Sequence, residues 1–285
     1  MKFTTIFVLF NAVFAFSFLF IFLMPFVVLG AESSAGFWSA NWPMAALFVV
    51  ALAALNGFFL ANRRVFTLVE KEDWAGLSSL LSDRMYRKGA FRGQYVRLMV
   101  NASLLRADLA GVERLETELR TRKPAMLRRN AVVFAVPRLL RNDPASVLAF
   151  CDEFLGAGDV DNREWLSFFH AFALVLLKRG AEAAPELGKT TGSKDATLGL
   201  ISAYLLANLA APALDDPDES KRLGELARAR RAALRARWRK SEAWAREAER
   251  ARAEVHVVIL SKILDDAGRW LFEESAQSAA AEPSR

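Results

Sequence analysis

The chain has 285 residues, with 38 Lys+Arg against 32 Asp+Glu and a formal net charge of +6. A single cysteine, Cys151, excludes an internal disulfide framework, and with only His170 and His256 a histidine-based metal site has almost no material. All but one of the basic residues and all but one of the acids lie from Arg63 onward, so the charge belongs to the last ~220 residues, enough for one sizeable domain or an elongated array.

The N-terminal part is apolar. No charged residue falls in the 29 positions between Lys2 and Glu32, nor in the 30 between Glu32 and Arg63. A membrane-spanning helix needs roughly 20 apolar residues, because in lipid every backbone N–H and C=O must be paired within the segment. Residues 3–30 and 43–61 are therefore expected to span the bilayer as a hairpin over 1–62, joined by a connector, 31–42. Asn11 and Asn56, the carboxamides well inside these segments, should each face the partner helix. The first segment is nearly twice the ~7–15 residues of a signal-peptide core, which predicts an uncleaved anchor. The connector carries no Lys or Arg, whereas Arg63, Arg64 and Lys71 crowd the far side of the second segment. That asymmetry places both termini in the cytoplasm and the connector outside, with Trp38 and Trp42 at the interface, in an integral protein of an inner membrane.

The next ~150 residues, 63–211, repeat. Asp73-Trp-Ala-Gly-Leu77, Asp108-Leu-Ala-Gly-Val112 and Asp143-Pro-Ala-Ser-Val147 begin alike, with aspartates 35 residues apart both times. Leu98, Val133 and Phe168 keep the register, as do Leu104, Leu139 and Leu174. Each aspartate separates two apolar helical runs, the position of an N-cap. Helices are expected at about 73–88, 94–106, 108–122, 126–141, 143–156, 161–178, 181–188 and 194–211, with Pro137 kinking the fourth. A helix–turn–helix unit near 34 residues is the period of tetratricopeptide repeats. In period, helix order and small-residue placement the segment resembles that family, although the Trp-Leu-Gly-Tyr signature of its first helix is missing. The resemblance implies an all-α solenoid of antiparallel helix pairs with a concave, peptide-binding face. Polar positions on the first helices of the pairs, Arg97, Asn101, Arg128 and Arg129, are the partner-binding candidates. The second apolar segment has no Gly or Pro from Leu60 to Trp74, so one helix can leave the bilayer and enter the first repeat.

Pro212 and the run Asp215-Asp-Pro-Asp-Glu219 end the pattern. Asp216 can cap a new helix with Pro217 at its first position, and one long basic helix is expected over 212–275, followed by a disordered tail, 276–285. Residues 228–240 carry Arg228, Arg230, Arg231, Arg235, Arg237, Arg239 and Lys240 with no acid. Packing over the end of the array is the simplest role for that helix. Anionic lipid headgroups or an acidic partner are the alternatives, and nucleic acid ranks last because no recognised binding module surrounds the basic run.

Catalytic signals are weak. Gly188-Lys-Thr190 lacks the glycine five residues earlier that a phosphate loop needs, and Asp159-Val-Asp-Asn162 lacks the glycine and glutamate of a calcium loop. Cys151 reads as a buried small side chain, and no acid partner for His170 is identifiable in the sequence. No catalytic residue, cofactor or metal is therefore expected. The expected function is a non-catalytic membrane-anchored scaffold or adaptor, with a constitutive structural subunit of a larger membrane complex as the alternative.

Overall fold

The computed structural model describes residues 3–273, and among them every regular element is helical. The expected disordered tail, 276–285, lies outside the described residues. The chain divides into two compact units, Met1–Ala90 and Phe91–Arg285.

In the first unit, α1 (Phe3–Glu70) is interrupted at Gly30, whose φ of 76° and ψ of 173° lie where only glycine goes without a Cβ penalty. The break makes two arms that run antiparallel: Phe7 stacks on Phe59 at 3.8 Å, Phe14 meets Phe48 at 5.0 Å and Phe22 meets Trp38 at 5.6 Å. Thr5–Val28 and Gly36–Glu70 are both long and apolar enough to cross a membrane. Their outer faces are bare, with Phe16 69% and Val27 79% exposed, a surface suited to lipid and costly in water. Asn56 donates to Asn11 Oδ1 at 2.7 Å, so the two carboxamides do meet across the arms.

The expected 31–42 connector is not a loop. Backbone helix resumes at residue 31, and the link contracts to the kink at Gly30. Nothing between 31 and 42 forbids helix, and Ser39 and Asn41 bond back to Gly36 and Phe37 carbonyls inside the turn. At 1.5 Å per residue the 35-residue second arm is about 52 Å long. That exceeds a ~30 Å hydrocarbon core, and the surplus carries Arg63, Arg64 and Glu70.

Among the described residues a recurrent corner joins four pairs of successive helices. At the end of α1, Glu72 turns left-handed (φ 54°) and Asp73 caps α2 (Trp74–Ser82), which ends in a π-helical turn, Asp83–Arg87. In the second unit the corner returns between α3 (Gly93–Leu105) and α4 (Leu109–Arg122), with Ala107 at φ 56° and Asp108 as cap. It returns again between α6 (Ala131–Leu140) and α7 (Pro144–Leu155), with Asn142 at φ 53° and Asp143 as cap. A fourth corner, between α8 (Arg163–Leu176) and α9 (Gly180–Thr191), uses Lys178 at φ 60°, one residue out of register. Each closes with the same two bonds, for example Ala107 N to Leu104 O at 2.9 Å and Asp108 N to Ser103 O at 2.8 Å. These are the paired 5→2 and 6→1 bonds of a Schellman C-cap. The three aspartates then accept from Gly76, Gly111 and Ser146 N–H groups, satisfying free donors of the next helix. The 35-residue spacing in the sequence is the spacing of this corner.

The remaining helices are α5 (Pro124–Arg129), α10 (Ala196–Leu205), α11 (Pro217–Arg237), α12 (Ser241–Ala251), α13 (Val255–Val258) and α14 (Ser261–Phe272). The expected 126–141 helix is split at Asn130, whose side chain bonds Met126 O instead of leaving the run unbroken, while α6 continues through Pro137. In the second unit α3, α6, α8 and α10 form one row of contacting helices, and α7 and α9 pack between and behind its members. Buried Glu116 on α4 is met by Arg120 and by Arg138 of α6, so its charge is paired. Ala196–Ala213 is also apolar enough to cross a membrane, but two-thirds of it is buried within this unit. A helix apolar all round is as well suited to a protein core, and α9, α11 and α14 cover this one.

The single long helix expected over 212–275 is four helices. Asp216 does cap α11, with Pro217 first. α11 ends where Trp238 turns inward, 5% exposed, to pack on Trp244 with ring centroids 4.8 Å apart. Arg235 caps the end by donating to the Trp238 and Arg239 carbonyls. Gly268 is a packing residue: a Cβ there would collide with Trp244 Nε1. Burial of two indoles outweighs the helical propensity of the residues between them.

Candidate partner-binding site

Three of the four sequence-predicted groove residues converge on one loop. Arg97 of α3 donates to Asn130 Oδ1 at 3.0 Å and to Asp161 at 3.1 Å. Arg128 of α5 grips Asp159 with two bonds, at 2.9 and 3.3 Å, and the Arg129 carbonyl accepts from Asp161 N–H. The Arg128 guanidinium holds the Asp159 carboxyl below its usual range. The Asp159–Asn162 turn is thus a clasp between α3, α5 and α8; Arg97 and Arg128 are paired within the chain through their guanidinium groups, whereas Arg129 is engaged through its backbone carbonyl. Asn101 sits one turn beyond Arg97, its Oδ1 buried without a hydrogen-bond partner.

Most of the basic run is likewise used internally. Arg230 lies against Gly199 and donates to Ser193 O at 2.6 Å, and its burial pushes its pKa down. Arg231 covers the Trp270 ring and Arg235 the Phe272 ring, at 4.9 and 4.3 Å, while Arg237 lies 5.3 Å from the Trp238 centroid. Arg235 and Arg237 nevertheless stay exposed, as do Arg228, Arg239 and Lys240. α11 packs on α9 and α10, so the basic helix covers the last helix of the row and a helix behind it.

The C-terminal helices then fold back over that row. α13 packs on α6, and α12 and α14 pack on α10. Between α8, the start of α10 and the α12–α13 turn lies a cavity of about 250 Å³ lined by Trp165, Asp195, Thr197, Glu247, Arg250, Glu254 and His256, among others. Trp165 Nε1 donates to Asp195 Oδ2 at 3.0 Å, and its ring meets His256 edge-on at 4.7 Å. Asp195 Oδ1 caps α10, accepting from Thr197 and Leu198 N–H. Burial pushes the His256 pKa down, against the opposing pull of Glu254 and Asp195.

His170 has the acid partners that the sequence does not reveal. Its Nδ1 lies 2.8 Å from Glu186 of α9 and its Nε2 lies 3.0 Å from Asp152 of α7. The Glu186 hydrogen bond, opposed by partial burial, raises its pKa. The histidine thereby bridges three successive helices. Cys151 on α7 is fully buried, and burial pushes its thiol up to about 12. No group of three His, Cys, Asp or Glu residues placed to hold a metal ion occurs among the described residues.

A family model described as "Uncharacterised Treponema protein" matches residues 111–273, more than half of the chain. A Treponema pallidum (strain Nichols) protein described as "Uncharacterized protein" is 27% identical over 233 residues, covering 79% of this chain and 74% of its own length. No solved structure matches. The family match runs from α4 to the end of α14, taking the fold-back helices together with the helix row as one unit; the chain belongs to this Treponema family.

Proposed function

We propose that this chain is a membrane-anchored, TPR-like scaffold or adaptor that mediates protein–protein interaction and is not catalytic. The recurrent left-handed corner carries this reading. It is the device by which helix pairs can stack into a solenoid, and in such arrays each unit contacts its neighbours and leaves an extended face for partners. The two apolar arms of α1 supply the anchor. The Lys- and Arg-free link and the basic end of the second arm favour an inner-membrane location with both termini in the cytoplasm. The exposed basic residues Arg228, Arg239 and Lys240 suit anionic lipid headgroups or an acidic partner.

A second reading, a constitutive structural subunit of a larger membrane complex, draws on the hairpin itself. Phe7, Phe10, Phe58 and Phe59 help line an open apolar cleft between the arms, a surface that another membrane helix can fill. Gentle detergent extraction from the native membrane followed by mass measurement separates the two. A monomer carrying substoichiometric clients supports the adaptor, and a constant stoichiometric assembly supports the subunit. A bare monomer after crosslinking in the membrane refutes both.

A further inference from the structure

We infer that the cavity between α8, the start of α10 and the α12–α13 turn is a binding site for one cationic head group, the guanidinium or ammonium of a basic side chain presented by a protein partner. This inference rests on the adaptor reading and names the chemistry of what the adaptor would hold.

Charge makes the first part of the case. Three carboxylates, Asp195, Glu247 and Glu254, line the cavity against one guanidinium, Arg250. Asp195 is already satisfied by the Trp165 indole and two backbone N–H groups. Glu247 meets Arg250 only at 3.6 Å, through an arginine that is mostly solvated. Glu254 makes no ion pair among the described residues and is exposed at the rim. An anion entering here meets net negative charge, whereas a cation finds two weakly engaged carboxylates.

His256 makes the second, independent part. It is 6% exposed, lines the cavity, and neither ring nitrogen has a hydrogen-bond partner among the described residues. Neither ring nitrogen is among the sealed, unbonded polar atoms of the described residues, so the imidazole is reached from the cavity and is open to an incoming N–H. Unprotonated at neutral pH, it can accept a bond from a cationic N–H while the Trp165 ring walls the site on one side. The volume of about 250 Å³ falls just below the ~300–1,000 Å³ of small-molecule pockets, which suits a side-chain head group better than a nucleotide-sized ligand.

The chain's two histidines make the test direct, because each gives one resolvable imidazole signal. The full-length protein in detergent would be titrated with N-acetyl-arginine amide, with neutral N-acetyl-glutamine amide as control and spermidine as a free polyamine, while histidine NMR is recorded. The expected result is a saturable shift of the His256 signal with the arginine compound alone, His170 unmoved, and binding weakened about tenfold in a Glu247→Gln, Glu254→Gln double variant. Binding should also weaken as pH falls, because a protonated His256 repels the cation. Tighter binding of spermidine would overturn the partner side chain as the source. No His256 shift, or unchanged binding in the double variant, would overturn the site. The adaptor reading is judged separately, by the clients recovered on extraction.

Discussion

Ala107 is an alanine held in the left-handed region, at φ 56°, by the corner between α3 and α4. For an L-residue other than glycine or asparagine that conformation costs roughly 1–2 kcal/mol. Ala107→Gly removes this cost but enlarges the conformational freedom of the unfolded chain, offsetting about 1 kcal/mol. The net expectation is stabilisation by up to about 1 kcal/mol, which for a unit of this size raises Tm by about 2–4 °C. Ala232→Gly, at an exposed position inside α11, is the control and should destabilise by about 0.5–1 kcal/mol. Thermal unfolding of the detergent-solubilised protein, followed by circular dichroism, reads both. If Ala107→Gly destabilises as much as Ala232→Gly, residue 107 is not left-handed and the recurrent corner is not built as described.

Gly268→Ala should lose about 1–3 kcal/mol in denaturant unfolding despite alanine's better helix propensity, because its Cβ would collide with Trp244 Nε1; a stabilised variant would refute the Trp244 packing. Asn56→Leu should weaken the hairpin by about 0.6 kcal/mol, through loss of the bond to Asn11, and an SDS titration that finds no loss would refute that bond. The His170 pKa is raised by its Glu186 bond, so the bridge stabilises fully below the ordinary histidine value and fades as pH rises through the folded value. The stability gap between wild type and His170→Gln should accordingly be larger at pH 6 than at pH 9, and a gap that widens toward pH 9 would refute it.

Local chemistry was readable in the sequence and long-range packing was not. Asp73, Asp108 and Asp143 announce their corners because an N-cap is made with residues two or three positions away. Asn11 and Asn56 were readable as a pair because lipid gives an amide few other partners. The break at Trp238 was hidden, since residues 238–240 have no helix-breaking chemistry and only burial against Trp244 turns the chain. Asp159 and Asp161 looked like a failed calcium loop because the arginines they serve lie some 30 and 64 residues away. Asp152 and Glu186 flank His170 at 18 and 16 residues, about half a repeat on either side, a spacing that carries meaning only once neighbouring helices are known to stack. His256 reaches Trp165 only because the C-terminal helices fold back, which no local pattern encodes.

In the proposed topology a two-arm hairpin holds the charged helical unit on the cytoplasmic side of a membrane. Single-cysteine labelling tests it most directly, because Cys151 is fully buried with its thiol pushed up to about 12 and contributes little background. Ser39→Cys and Lys194→Cys place thiols at exposed positions near the hairpin link and on the helical unit. A membrane-impermeant maleimide applied to intact spheroplasts should label Ser39→Cys and leave Lys194→Cys unlabelled until the membrane is opened. Labelling of Lys194→Cys in intact spheroplasts would contradict this topology.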